Sequence, residues 1–270
     1  MGLIAGNNKF LKLFKVWMKI SFLAAESQLL TNWSGVLFLI GKIVRFFMYF
    51  IFLFSVLSGA KDLIGLSQNQ VIFFFLIFNF IDITVQFLFR GVYHFRPLVV
   101  SGNFDLDLLK PIPSFFKPIF GWTDILDFIT LVPLVLYIFH FSLVNHLAAG
   151  FFSWLLFLFL LINAILISFA IHLAVCAICI LTLEIDHLIW VYRDLTNMGR
   201  FPTDIYPKWL QGILTFTIPV VVMVTVPTKS LLGIVSWPML ALSFLIGAFS
   251  LFASLKFWQF SLKRYTSASS

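Results

Sequence analysis

Apolar positions along this chain gather into long runs instead of alternating with polar ones at the short period of a soluble strand. The runs cover residues 36–57, 71–89, 125–141, 150–183, 209–226 and 234–257. Each approaches or exceeds the ~20 residues that a helix needs to cross the ~30 Å hydrocarbon layer of a bilayer. The pattern predicts an all-α membrane protein with about six transmembrane helices. The run at 150–183 is longer than one crossing requires and too short for two full crossings with a loop, so a single long helix and a tight helical hairpin both remain open.

Ahead of these runs lies a different pattern. Lys9, Lys12, Lys15 and Lys19 recur at steps of three, three and four, so a helix over about 9–31 gathers them on one side and leaves Phe10, Leu13, Phe14 and Trp17 on the other. Such a helix lies along the headgroups, rings down and ammonium groups among lipid phosphates. It anchors the chain, and it is also placed to brace a cytoplasmic partner. The lysines interrupt the uninterrupted apolar core that a signal peptide would need.

Composition narrows the class. Of 270 residues, 61% are hydrophobic and 11% charged, whereas soluble domains carry about 45–50% apolar and about 25% charged residues. The crossings and their loops leave no room for a large soluble domain. The predicted division is an interfacial helix over 1–32, a transmembrane domain over 33–257 with a cytoplasmic segment at 93–120, and a cytoplasmic tail at 258–270. Lys+Arg number 18 against 11 Asp+Glu, a net +7, and in a membrane chain this excess reports orientation rather than affinity for nucleic acid. With both ends, the 90–121 loop and the 184–208 stretch in the cytoplasm, only Lys61 and Lys229 of the 18 basic residues fall outside. A hairpin at 150–183 would instead move Arg193, Arg200 and Lys208 outside. The stretch holding Pro219 and Pro227 would then be a re-entrant element, allowed only where protein covers its broken backbone.

Charges inside the runs need partners. Lys42 and Arg45, one turn apart, can snorkel to the headgroups. Asp82 must face protein or a water-filled cavity, as an interhelical contact or as a group lining a path. Asp124 and Asp127 suit the positive end of a starting helix. Catalytic chemistry is thin. The pair Gly41-Lys42 is flanked by Val36 and Ile43 where a phosphate-cradling loop needs glycine and Ser or Thr, so the chain has no ATPase motif of its own. His172, Cys176 and Cys179 share a helical face but read as packing residues. Glu184, Asp186 and His187 lack the spacing of a zinc protease and read as a membrane-surface boundary. No catalytic, metal or cofactor site is expected in this chain.

The segment 101–113, SGNFDLDLLKPIP, carries more information. Gly102 and Asn103 turn the chain, and Asp105 caps or begins a short helix. Phe104, Leu106, Leu108 and Leu109 give it apolar surface, and Pro111 stops it. That surface must be buried, either on a partner or on this chain's own cytoplasmic ends.

Gly102, Asp105, Leu109, Lys110 and Pro111 resemble a segment of the ABC-2 type transporter permeases. Residues 201–233, FPTDIYPKWLQGILTFTIPVVVMVTVPTKSLLG, and 258–270, WQFSLKRYTSASS, resemble two further stretches of that family. The departures are Val221 and Val222, where the family often has Ala-Phe, and the missing Phe-Trp pair at the end of the fourth run. The resemblance implies a multi-pass permease subunit in the inner (plasma) membrane of a bacterial cell, both termini cytoplasmic, paired with an identical or related second permease. Two separate ABC ATPase subunits, which bind the ATP and Mg, would dock below it and drive export. Gly102, Phe104, Asp105, Leu108, Leu109, Lys110 and Pro111 would form the coupling helix. Lys9, Lys12, Lys15, Trp17 and Lys19 would form the interfacial helix among membrane lipids. Asp82, Pro202, Tyr206, Pro207, Pro219 and Pro227 would line the path or a re-entrant element before the last crossing. The residues alone leave two other classes open, an ion-coupled secondary transporter using Asp82 and Asn163, and a non-transporting membrane scaffold.

Overall fold

A computed structural model describes residues 3–29, 33–59, 65–148, 150–183 and 186–266. Among them the secondary structure is helical throughout. The helices are α1 (Leu3–Leu29), α2 (Trp33–Gly59), α3 (Gln68–Phe89), α4 (Phe95–Val100), α5 (Asn103–Leu108), α6 (Phe116–Phe120), α7 (Ile125–Val144), α8 (Phe151–Thr182), α9 (Asp186–Asn197), α10 (Lys208–Phe216), α11 (Val226–Leu231) and α12 (Trp237–Leu262). Part of the 58–70 linker, Lys61 included, and Glu184 of the polar cluster lie outside the described residues, as do the side chains of Lys9, Arg45 and Asp186.

Local chemistry sets several boundaries. Ser67 and Gln70 form a reciprocal capping box at the start of α3, satisfying two backbone donors that the first turn leaves open. Asp124 caps α7 through the backbone N–H of Leu126, 3.0 Å away. The 150–183 run forms one helix, α8, of 32 residues, about 48 Å long. No hairpin interrupts it. It stops where Leu183 turns into the left-handed region at φ 59°.

Helix directions follow from what their ends touch. Arg90 to Gly121 form a compact foot built of α4, α5, α6 and their turns. The far end of α8 from its start meets this foot, where Arg96 Nε donates to the Leu183 carbonyl at 2.7 Å. The end of α12 meets it too, where Trp258 Nε1 donates to Ser114 Oγ at 3.0 Å. Both helices therefore run toward the foot, side by side and parallel. In mid-span, Asn163 of α8 donates to the Ser243 carbonyl of α12 at 2.9 Å. Gly247 makes room for it, since a Cβ there would lie 1.9 Å from Asn163 Oδ1.

Two parallel neighbours oblige the chain between them to travel back. The first part of that return is made by α9, which lies in the 184–208 stretch that one of the two sequence arrangements leaves in the cytoplasm and the other carries outside from Arg193 on. Tyr192 of α9 lies edge-on to His172 of α8, 5.0 Å between rings, with its hydroxyl 3.3 Å from Ser168 Oγ. Seven residues on, Gly199 sits against Phe78, halfway along α3. The chain has thus climbed from the foot to mid-span. Its amphipathic sequence hides the climb from a hydropathy count because polar residues can be carried against other helices there.

The expected fifth crossing, 209–226, is correspondingly not a straight one. α10 and the helix running through Val221–Leu231 meet at 83°. The break falls at Ile218 and Pro219, and a π-helical stretch over Val221–Thr225 leads into α11. Four helices are long and apolar enough to cross a membrane among the described residues, within Gln68–Val100, Ile125–Val144, Phe151–Thr182 and Trp237–Lys263. α2 covers the first expected crossing as one helix of 27 residues.

Candidate functional site

The foot is held from inside the chain. Gly102 takes φ 74° to turn into α5, a conformation open to glycine without steric cost. Gly102, rather than Asp105, is the N-cap, and Asp105 lies in the first turn. Phe104 is fully buried, its ring 5.1 Å from Phe95, 6.3 Å from Trp258 and 5.4 Å from Tyr265. The tail motif therefore closes onto the 101–113 motif. Burial and the neighbouring Asp105 carboxylate push the Tyr265 phenol up to about 12. Asp107, 4% exposed, receives Lys110 at 2.7 Å and Lys117 at 2.9 Å. Lys110 thus folds back onto the foot, and the turn from Lys110 to Ile112 leaves Pro111 exposed at the helix end.

The other side of α5 is bare. Leu106 is 60% and Leu109 82% exposed, with Leu108 at 37% beside them. Of the two burial routes open in sequence, Phe104 takes the internal one while Leu106 and Leu109 are left facing outward. The spacing of Asp107 and Lys110 carried a signal for the inner ion pair, but Lys117 and Trp258 could not be assigned to it without the fold.

A second charge cluster ties the foot to the crossings. Lys42 of α2 contacts Asp127 and lies 3.2 Å from Asp124, while Arg90 lies 3.4 Å from Asp124 and 3.8 Å from Asp127. Both carboxylates are buried. Lys42 is therefore an interhelical partner rather than a snorkelling side chain, because two buried carboxylates on α7 attract it more strongly than the headgroups. Nearby, His94 lies tilted against Trp122, 4.5 Å between ring centroids. Burial and the Arg90 charge lower its pKa below 6.5.

α1 presents Lys12, Lys15 and Lys19 to the exterior together with Phe10, Phe14 and Phe22. Trp17 turns inward to meet Phe87 of α3 edge-on at 6.0 Å. Gln28 bridges to the start of α7, donating to the Thr123 carbonyl at 2.7 Å and accepting from the Ile125 N–H at 3.1 Å.

Beyond the point where the chain reaches mid-span, the expected path residues converge in part. Pro202 is buried, and Thr203 beside it lies 2.9 Å from Thr225 across the bend, hydroxyl to hydroxyl. Tyr206 donates its hydroxyl to the Met198 carbonyl at 2.9 Å, and its burial raises the phenol. Pro207 caps α10 on the exposed side. Pro219 is buried and its carbonyl accepts from Met223, 2.9 Å away. Pro227 is buried at the second position of α11, directly after the π-helical stretch. Lys229 pairs with Asp204 at 2.7 Å, clamping α11 to the chain before α10. Asp82 is half-buried on α3, away from this group and within electrostatic reach of Tyr192.

His172 is buried, its Nδ1 2.7 Å from the Ser168 carbonyl and its ring between Phe89 and Tyr192. Cys176 and Cys179 are buried free thiols. Among the described residues no cluster of three or more His, Cys, Asp or Glu side chains is arranged to hold a metal ion.

No curated protein and no solved structure matches this chain. One family model does, described as ABC-2 family transporter protein, over residues 43–269. That range begins inside α2, takes in the later crossings, the foot and the bent pair, and leaves α1 outside it. On the helices and the match together, this multi-pass integral membrane chain belongs to the ABC-2 transporter family, whose members are permease-type, generally non-catalytic transmembrane subunits of ABC transporters.

Proposed function

We propose that this chain is the passage-forming half of an ATP-driven exporter and that a separate ABC ATPase seats on the bare side of α5. The observation that carries the reading is the two-sidedness of that helix. Phe104 and Asp107 fix it to the rest of the chain, while Leu106 and Leu109 point away from it. A small helix bound firmly on one side and apolar on the other transmits a push instead of absorbing it. Through Phe104 the push reaches Phe95 and Trp258, hence α12. Through Arg90 it reaches Asp124 and Asp127, hence α7 and α2.

ATP and Mg are held by the ATPase in this scheme, and the permease supplies only differential affinity. A partner that binds two arrangements of the crossings equally well shifts neither. The foot is cytoplasmic, so both termini are too, and α1 lies among the lipids of a bacterial plasma membrane. A second permease, identical or related, completes the passage.

The test is recovery of the ATPase. Co-expressed with the nucleotide-binding subunit, Leu106→Asp with Leu109→Asp leaves the permease inserted and strips the ATPase from it, as judged by mass spectrometry and Mg-ATP hydrolysis of the purified complex. Undiminished ATPase recovery would sink the assignment. Cysteine at position 109 should also react with membrane-impermeant reagent only in inverted vesicles.

A further inference from the structure

α5 is six residues long, well below the ~12–15 at which a helix sustains itself in water, so its surroundings decide how it is oriented. Asp107 is reached by Lys110 and Lys117, both from the foot itself and both on flexible stems. The rings around Phe104 come partly from elsewhere. Trp258 and Tyr265 belong to the end of α12 and the residues after it.

α12 ends at Leu262, yet the chain keeps turning beyond it. The Arg264 N–H donates to the Ser261 carbonyl at 3.0 Å, and the Tyr265 N–H to that of Leu262 at 3.3 Å. Tyr265 therefore stands about two turns past Trp258 on the same side of α12, with Ser261 buried between them. Both rings meet Phe104 edge-on. Trp258 is also tied to Ser114, and so joins α12 to the foot as a whole.

Tyr265 instead acts on α5 at two neighbouring positions. Its ring lies 5.4 Å from that of Phe104, and its buried hydroxyl oxygen feels the Asp105 carboxylate. Successive side chains leave a helix about 100° apart, so a body that engages two of them fixes the rotation of the helix about its axis as well as its distance. That rotation decides where Leu106 and Leu109 point.

We propose that Tyr265 is the positioning residue of α5, holding the helix in the rotation at which Leu106 and Leu109 face a partner, so that the turn after α12 sets how well the foot docks. Docking rests on the ATPase reading above, while the hold on α5 needs no ATPase.

The experiment uses the full-length chain in detergent, spin-labelled at Leu109→Cys or, in a parallel sample, at Val144→Cys in the last turn of α7. Both positions are exposed and the native thiols are buried, so the label goes where it is sent. Tyr265→Ala should lower the ratio of ordered to mobile label at 109 about threefold to tenfold, the worth of an edge-on aromatic pair, and leave the label at 144 unchanged. Tyr265→Phe keeps the ring and should fall between the two. Tyr265→Leu should behave as Tyr265→Ala does and decides alone if the alanine variant is not recovered. A label at 109 that stays as ordered as in the unaltered chain overturns the proposal. Equal loosening at 144 overturns it too, because that reports general destabilisation, and so does a Tyr265→Phe chain as loose as Tyr265→Ala. Titrated with the nucleotide-binding subunit, Tyr265→Ala should need about three to ten times more ATPase for half-saturation, since binding must then supply the rotation that the ring supplied. Undiminished affinity alongside a loosened 109 overturns docking on this side of α5, and the label then judges Tyr265 by itself.

Discussion

Cations at two levels of this molecule are handled in opposite ways. Near the foot, Lys42 and Arg90 meet Asp124 and Asp127, two cations against two buried carboxylates drawn from three parts of the chain. At mid-span, Arg200 has the rings of Tyr49 and Phe78 and the amide of Asn197. The first arrangement neutralises itself and locks helices together. The second holds a cation by ring faces and one amide, with no carboxylate within 4.0 Å among the described residues. Paired charges bind the helices to one another, whereas ring contacts give a cation a weaker hold.

The contrast breaks most visibly at Asp127. Asp127→Ala leaves Lys42 and Arg90 sharing Asp124 alone, and removing one partner of a buried cluster costs about 3–5 kcal/mol. Unfolding in detergent should shift by a corresponding amount, and a shift no larger than that of a surface substitution would show the cluster to be ornamental. Asp107→Asn tests the same logic where the cations are more open to solvent. Lys110 and Lys117 can return to water, so the loss should be about 1–3 kcal/mol, and the docking proposed above adds a weaker hold of an ABC ATPase because α5 is no longer pinned. At Arg200 the expectation reverses. Arg200→Gln gives up cation–π contacts worth about 1 kcal/mol but also removes a charge that only rings and an amide hold, so thermal stability should stay within about 1 kcal/mol of the original. A loss as large as that of Asp127→Ala would mean that ring contacts hold a cation here as firmly as paired charges do.

The smallest expected effect is on His94, beside the inner cluster. Its folded pKa lies below 6.5 because burial and Arg90 disfavour the imidazolium. The unfolded imidazole takes up its proton near 6.5, so between that pH and the folded pKa the unfolded chain binds more protons. Stability therefore falls slightly as pH drops through that window and is fully present above it. The His94 ring resonance in the purified chain should titrate below 6.5, and one titrating above it would exclude the influence of Arg90.

Much of the site could be read from residues in line. The turn at Gly102, the short helix after it and the stop near Pro111 follow from local conformational preference, which needs no distant partner. Of the two places open to Asp105, cap or first turn, it takes the first turn, because the left-handed backbone of Gly102 already starts the helix. Lys42 was misjudged as snorkelling because its partners stand on α7, more than eighty positions away in sequence. Arg200 carried no signal at all. It lay in a polar stretch that reads as loop, and only its stacking on Tyr49 distinguishes it.

By itself, the sequence determined a membrane protein of long apolar helices, an amphipathic start and a small foot. Transfer of apolar side chains out of water depends on composition and run length alone. Tertiary structure decided the return path between α8 and α12. A hydropathy profile scores α9 as soluble and 209–226 as a crossing, yet α9 climbs among other helices and 209–226 turns back on itself at 83°. The reason is that inside a bundle polar groups are satisfied by neighbouring helices instead of water. Which neighbours those are is a property of the whole fold.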